Sequence, residues 1–168
     1  MICFSVEFCH INYNGYAQYI IEENSFFYDP WNDVDFSIIV GKGYNSLDLN
    51  LDSDNVLQLT GYNPRKKWIP QALVIPKNKT GLLKVHISKK QQKGSGLQYV
   101  DDWKTFYDEK SGWICIGNPQ CENDPAVEFA KNTLAVIVNS ELKAVWITSS
   151  FSRASLTRSQ DLLKRAFL

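Results

Sequence analysis

The chain has 168 residues, of which 44% are hydrophobic and 13% aromatic, a composition that supports one domain with a sizeable core and argues against intrinsic disorder. Only two histidines, His10 and His86, are present, which removes most histidine-based catalysis and metal binding from view. The 18 basic and 18 acidic residues cancel, yet unevenly: residues 1–54 net −8, residues 55–100 net +9 with no acid, and residues 101–168 net −1.

The opening stretch alternates with period two, Ile2, Phe4, Val6 and Phe8 on one side against Cys3, Ser5, Glu7 and Cys9 on the other. Such alternation predicts a half-buried antiparallel strand. The same stretch lacks a basic n-region and is interrupted by Glu7, so it does not read as a secretory signal. A hairpin is predicted next, Phe36–Val40 and Tyr44–Leu51 about the turn Gly41-Lys42-Gly43, whose glycines can take positive φ. Leu47, Leu49 and Leu51 alternate there with Asp48, Asn50 and Asp52. Leu83, Val85 and Ile87 do the same against Lys84, His86 and Ser88.

Further on, Trp103–Tyr107 and Trp113–Ile116 flank the turn residues Asp108–Gly112 as a second hairpin. Val127–Ala130, Thr133–Asn139 and Leu142–Ser149 read as a three-stranded meander, although Asp124-Pro125 would also start a helix. Thr157 and Gln160 form a capping box ahead of Leu162, Leu163, Ala166 and Phe167, so residues 153–168 are expected as a short C-terminal helix or flexible tail. The whole is predicted as a single mainly-β domain over residues 1–168, an antiparallel β-sandwich or partly open barrel of meander hairpins. The longest apolar run, Leu134–Val138, is far below the ~20 residues that span a bilayer, so a cytoplasmic protein without a membrane partner is expected.

Motifs for defined chemistry are incomplete. Asp48–Asp54 starts like a calcium loop, but Ser53 and Leu59 stand where that loop needs Gly and Glu. Gly41-Lys42-Gly43 lacks the remaining glycines and the helix of a phosphate loop. Cys3/Cys9 and Cys115/Cys121 are spaced by six, and two side chains six apart on one strand lie about 20 Å apart, too far for one zinc ion. No metal or cofactor is therefore expected, and Asn78-Lys79-Thr80 is read as a chance sequon.

The most suggestive stretch is Gly61–Pro70, where Arg65, Lys66 and Lys67 stand beside Trp68 between prolines. Cations with a stacking ring are what single-stranded nucleic acid recognition uses. Lys89, Lys90 and Lys93 form a second basic loop, and Asp48, Asp52 and Asp54 are the matching acids of a charge-segregated surface. The leading expectation is a non-enzymatic protein-binding module, immunity- or inhibitor-like, in which complementary charge selects the partner. The alternatives are a nucleic-acid or polyanion binder using the basic 65–93 region, and a small hydrolase in which carboxylates such as Glu7 or Glu22 converge in a cleft. Exposed strand edges and the apolar Leu162, Leu163 and Phe167 leave a homodimer open.

Overall fold

Alternating side chains become strand almost throughout the computed structural model, which describes residues 1–42 and 44–152. The first half holds β1 (Ile2–Phe8), β2 (Tyr16–Ile20), β3 (Ser25–Asp29), β4 (Phe36–Val40), β5 (Asn45–Asn50), β6 (Asn55–Tyr62), β7 (Ile69–Pro70) and β8 (Asn78–Ile87). The second holds β9 (Ser95–Val100), β10 (Thr105–Tyr107), β11 (Trp113–Gly117), β12 (Ala126–Ala130), β13 (Thr133–Val138), β14 (Glu141–Thr148) and β15 (Ser150–Ser152). A single 3-10 turn, Arg65–Lys67, is the one helical element among the described residues. The C-terminal helix or tail expected over 153–168 lies outside them.

All fifteen strands belong to one hydrogen-bonded network, a curled open sheet whose main path runs β15-β2-β3-β6-β8-β12-β13-β14-β11-β10-β7. The expected hairpins form, β4 with β5, β10 with β11, and the meander β12-β13-β14. Ala126–Ala130 is strand, so the helix start at Asp124-Pro125 is not used. A purely antiparallel arrangement does not hold. Four pairings are parallel: β8 with β12, β4 with β9, β2 with β15, and β7 with β10. Each joins strands separated by other elements, so no local turn signal announces it.

Two strands make the branches. β8 pairs β1 along its length, Ile2 opposite Ile87 and Phe8 opposite Gly81, while its other edge is shared by β12 at Asn78–Thr80 and β6 at Leu83–Lys84. β6 carries β5 on one edge and both β8 and β3 on the other. It bends at Gly61, where φ is +110° and a Cβ would stand 2.1 Å from the Tyr44 carbonyl oxygen. Only glycine fits that approach.

The main core collects the inward faces of both halves, including Phe4, Tyr19, Phe26, Ile38, Leu49, Leu83 and Ile147. β13 and β14 read as nearly continuous apolar runs because they are buried on both faces. Their outer face holds a smaller core of Leu134, Val136, Trp146, Cys115 and Cys121, packed against Leu73, Phe106 and Trp113. The two ends of the strand path meet through rings rather than ladder bonds. Phe151 of β15 lies 6.3 Å from Trp68, which leads into β7, and 6.2 Å from Tyr107 of β10.

Candidate functional site

The Gly61–Pro70 stretch leaves the end of β6 as a single tight turn. Lys67 N–H donates to the Pro64 carbonyl at 2.9 Å and Trp68 N–H to the Arg65 carbonyl at 3.0 Å. Beneath the turn lies Asn63, 4% exposed, whose polar atoms are all engaged. Its backbone N–H donates to Asn24 O at 2.7 Å, and its Nδ2 donates to Asn45 Oδ1 at 2.7 Å and Thr105 Oγ1 at 2.9 Å. Its Oδ1 accepts Trp68 Nε1 at 2.8 Å, and its carbonyl accepts the Tyr19 hydroxyl at 2.8 Å. Tyr19 Oη in turn accepts Arg65 N–H at 3.1 Å. Burial raises the Tyr19 phenol above its ordinary range, which keeps it protonated and donating.

Arg65, Lys66 and Lys67 are exposed on this support, and no described carboxylate lies within ion-pairing distance of them. The Arg65 guanidinium stacks 4.9 Å from the Phe151 ring centroid and 5.5 Å from that of Tyr107, which orders the side chain while leaving its charge outward. Tyr62 and Tyr44 are exposed at the same end of the β5–β6 ladder, each one residue beyond the Asn45–Gly61 pair. Trp68 is a different matter. At 7% exposure, its ring lies 8° from parallel to Phe26 and edge-on to Tyr19, so it is core rather than a stacking platform.

Lys89, Lys90 and Lys93 lie elsewhere, in the loop between β8 and β9. This loop and the turn Leu51–Asp54 bound a groove of about 440 Å³ that also takes in His86 and Ile87. Here the basic loop meets the acids instead of standing apart from them. Lys93 Nζ lies 2.9 Å from Asp52 Oδ2 and 3.4 Å from Asp35 Oδ2. Asp35 ties the two segments further, its Oδ1 accepting Leu51 N–H at 2.9 Å and its carbonyl accepting Gly94 N–H at 2.6 Å. Asp52 and Asp54 both line this groove.

Asp48 is not a surface acid. It is 3% exposed, on the outward face of β5, and its partner Gln58 is itself held by Asn32, whose N–H and Nδ2 both donate to Gln58 Oε1 at 3.1 Å. Its Oδ1 accepts Ser37 Oγ at 2.9 Å and Ser46 Oγ at 2.7 Å. Its Oδ2 accepts Gln58 Nε2 at 3.1 Å and Thr60 Oγ1 at 2.6 Å. Four neutral donors replace the water that burial removes, which makes this a structural carboxylate.

The two histidines stand apart, each bonded to a neutral side chain. His86 Nε2 is 3.0 Å from Ser5 Oγ on the exposed face of the β1–β8 pair. His10 bonds Asn12. Neither Glu7 nor Glu22 lines the groove. Among the described residues no three metal-ligating side chains come together, and no helix is long and apolar enough to cross a membrane.

Asn63, Tyr19 and Asp35, which hold the two charged loops, carried no signal in the sequence because their partners lie up to 59 positions away. Comparison with protein-family models, curated proteins and solved structures finds no match to this chain.

Proposed function

We propose that this chain is a non-enzymatic protein-binding module, of the immunity or inhibitor kind, that offers the Arg65–Lys67 turn to an acidic surface of its partner. One observation carries the reading. Three adjacent exposed cations stand on a turn whose backbone is fixed by Tyr19, Asn63 and Trp68, with Arg65 stacked on Phe151. A cation held in place before contact loses less side-chain freedom on binding, and Arg beside exposed Tyr is the composition of interface hot spots. Electrostatic steering by such a cluster raises the association rate and falls with salt.

The polyanion reading shares these cations but has lost the ring it relied on, since Trp68 is buried. The basic 89–93 loop supports it weakly, because Lys93 is engaged by Asp52 and Asp35.

The test is affinity purification from the native host with the wild type and with R65E/K66E/K67E. A stoichiometric protein recovered by the wild type, lost with the triple variant and weakened at raised salt is the expected result. Recovery of no stoichiometric partner, or equal recovery by both, overturns it. Oligonucleotide binding at low salt that the triple variant abolishes would favour the polyanion reading instead.

A further inference from the structure

Tyr44 is held in a backbone conformation that its side chain does not favour. Its φ is +63°, in the left-handed region. Among the described residues, five other non-glycine residues have positive φ: Asn24, Asp54, Asn132, Asn139 and Ser140. All five are short polar residues, whose side chains bond nearby backbone and make the conformation tolerable in turns. A tyrosine has no such compensation, and glycine or asparagine would suit this backbone better. Packing does not compensate either. The Tyr44 side chain is 73% exposed, and among the described residues it makes no hydrogen bond, ring contact or cation contact.

The backbone at Tyr44 is fixed by the support that also holds the Arg65–Lys67 turn. Asn45, the next residue, is 1% exposed, and its Oδ1 accepts Asn63 Nδ2 at 2.7 Å. Asn63 in turn holds Trp68 through its Oδ1 and Tyr19 through its carbonyl. Tyr62, 45% exposed, immediately precedes Asn63, and Asn45 lies opposite Gly61. Two exposed phenols and three exposed cations therefore radiate from one buried hub. Backbone strain that the surrounding structure over-determines is characteristic of contact sites.

Charge around the hub is a mosaic. Glu22 and Glu23 lie on the turn that ends at Asn24, whose carbonyl accepts the Asn63 N–H at 2.7 Å. An evenly charged polyanion crossing this patch meets those carboxylates. A protein surface can instead set acids against Arg65–Lys67 and an apolar recess against Tyr44.

We propose that Tyr44 is a specificity-determining contact residue, its ring seated in an apolar recess beside the acidic partner surface that meets the Arg65–Lys67 turn. Tyr62 flanks it at the rim. This role rests on the protein-binding reading of the turn. Tyrosine suits it because a large amphipathic area is brought to the contact while only two side-chain torsions are ordered.

The probe is the protein that the wild-type chain recovers, purified and titrated calorimetrically against the full chain. Tyr44→Gly and Tyr44→Asn both remove the ring and both suit the left-handed backbone. Val74→Ser, which removes a 64%-exposed apolar side chain from the loop between β7 and β8, is the control. Urea unfolding of every variant accompanies the titrations.

Both Tyr44 variants should raise the folding equilibrium constant about threefold and weaken partner binding roughly tenfold to thirtyfold. Val74→Ser should change binding by less than about twofold. Stability that rises while affinity falls is a pattern that a purely structural role does not produce.

Wild-type affinity in both Tyr44 variants overturns the proposal, and the reading of the turn survives if R65E/K66E/K67E still loses the partner. A fall in stability with both Tyr44 variants also overturns it, because the ring would then serve the fold. Recovery of no partner, or equal recovery by R65E/K66E/K67E, overturns the reading of the turn and this contact with it. An oligothymidylate single strand that binds at low salt and is lost with Tyr44→Gly would assign the ring to base stacking, which overturns the proposal as well.

Discussion

Lys93 Nζ lies 2.9 Å from Asp52 Oδ2, which joins the acid-free middle of the chain to its acidic first third. Charge blocks separated along the sequence are thus partly interleaved in space, and the cations left unengaged by described acids include the Arg65–Lys67 turn.

Because Lys93 is solvent-exposed, its pairing should order the loop without adding measurably to global stability. Lys93→Gln is expected to leave the thermal midpoint unchanged while speeding hydrogen exchange at Leu51 and Gly94, whose N–H groups donate to Asp35. The bonds to Asp52 and Asp35 raise the Lys93 pKa, so whatever they contribute is present below the unfolded lysine value and lost as pH rises through the folded one. An unchanged exchange rate at both amides would count against the clamp.

Asp48 holds together β4, β5 and β6 through Ser37, Ser46, Gln58 and Thr60. Asp48→Ala leaves these donors facing an empty space and should destabilise the fold by about 3 kcal/mol in urea unfolding. Asp48→Asn keeps one acceptor and should cost less. Equal losses in the two variants would mean that packing rather than hydrogen bonding is at stake.

Tyr19→Phe removes the hydroxyl that links Asn63 O to Arg65 N–H and leaves the ring contacts with Trp68 and Phe26. Its stability cost is expected at about 1–2 kcal/mol. Partner affinity should also fall although no charge has changed, because the turn is less well fixed. An affinity that stays at the wild-type value would show that rigidity of the turn is irrelevant to binding.

Asp108 accepts the Leu73 N–H at 3.1 Å, and the Lys110 and Ser111 N–H groups at 3.0 and 3.4 Å. The Leu73 bond foremost, then those from Lys110 and Ser111, lowers its pKa, so its stabilisation is present above the unfolded carboxyl value of about 3.9 and lost as pH falls through the folded one. Asp108→Asn should melt below the wild type at pH 5, and the two should converge as the wild-type carboxyl protonates. A gap that persists at about pH 2 would break the linkage.

Burial raises the thiol pKa of Cys115 and of Cys121, while Cys9 is exposed. A disulfide-exchange reagent at neutral pH should therefore modify Cys9 rapidly in the native protein and reach Cys115 and Cys121 only on unfolding, when all four cysteines titrate. Fast native labelling of Cys115 would contradict the smaller core as described.

Most strands were legible because a face that meets the core imposes period two on its residues, as Ile38 and Val40 or Leu83 and Val85 do. β2, β3, β6, β7, β9 and β15 were not predicted; between β2 and β3, for instance, the turn Ile21–Asn24 carries neither Gly nor Pro. Asp48 was misread for a related reason. Its place on the outward face follows from Leu47 and Leu49, but the donors that enclose it, Ser37 of β4 and Gln58 and Thr60 of β6, reach it only through the folded sheet.

By itself, then, the sequence determined a mainly-β chain, its local hairpins, and the existence of separate charge blocks whose total is zero. Tertiary structure alone decided the parallel pairings, the burial of Trp68 and Asp48, and which cations are engaged by acids. Alternation and turn chemistry act over a few residues and are written locally. Charge pairing and strand-edge exposure depend on distances between residues such as Lys93 and Asp52, 41 positions apart, which only the folded chain sets.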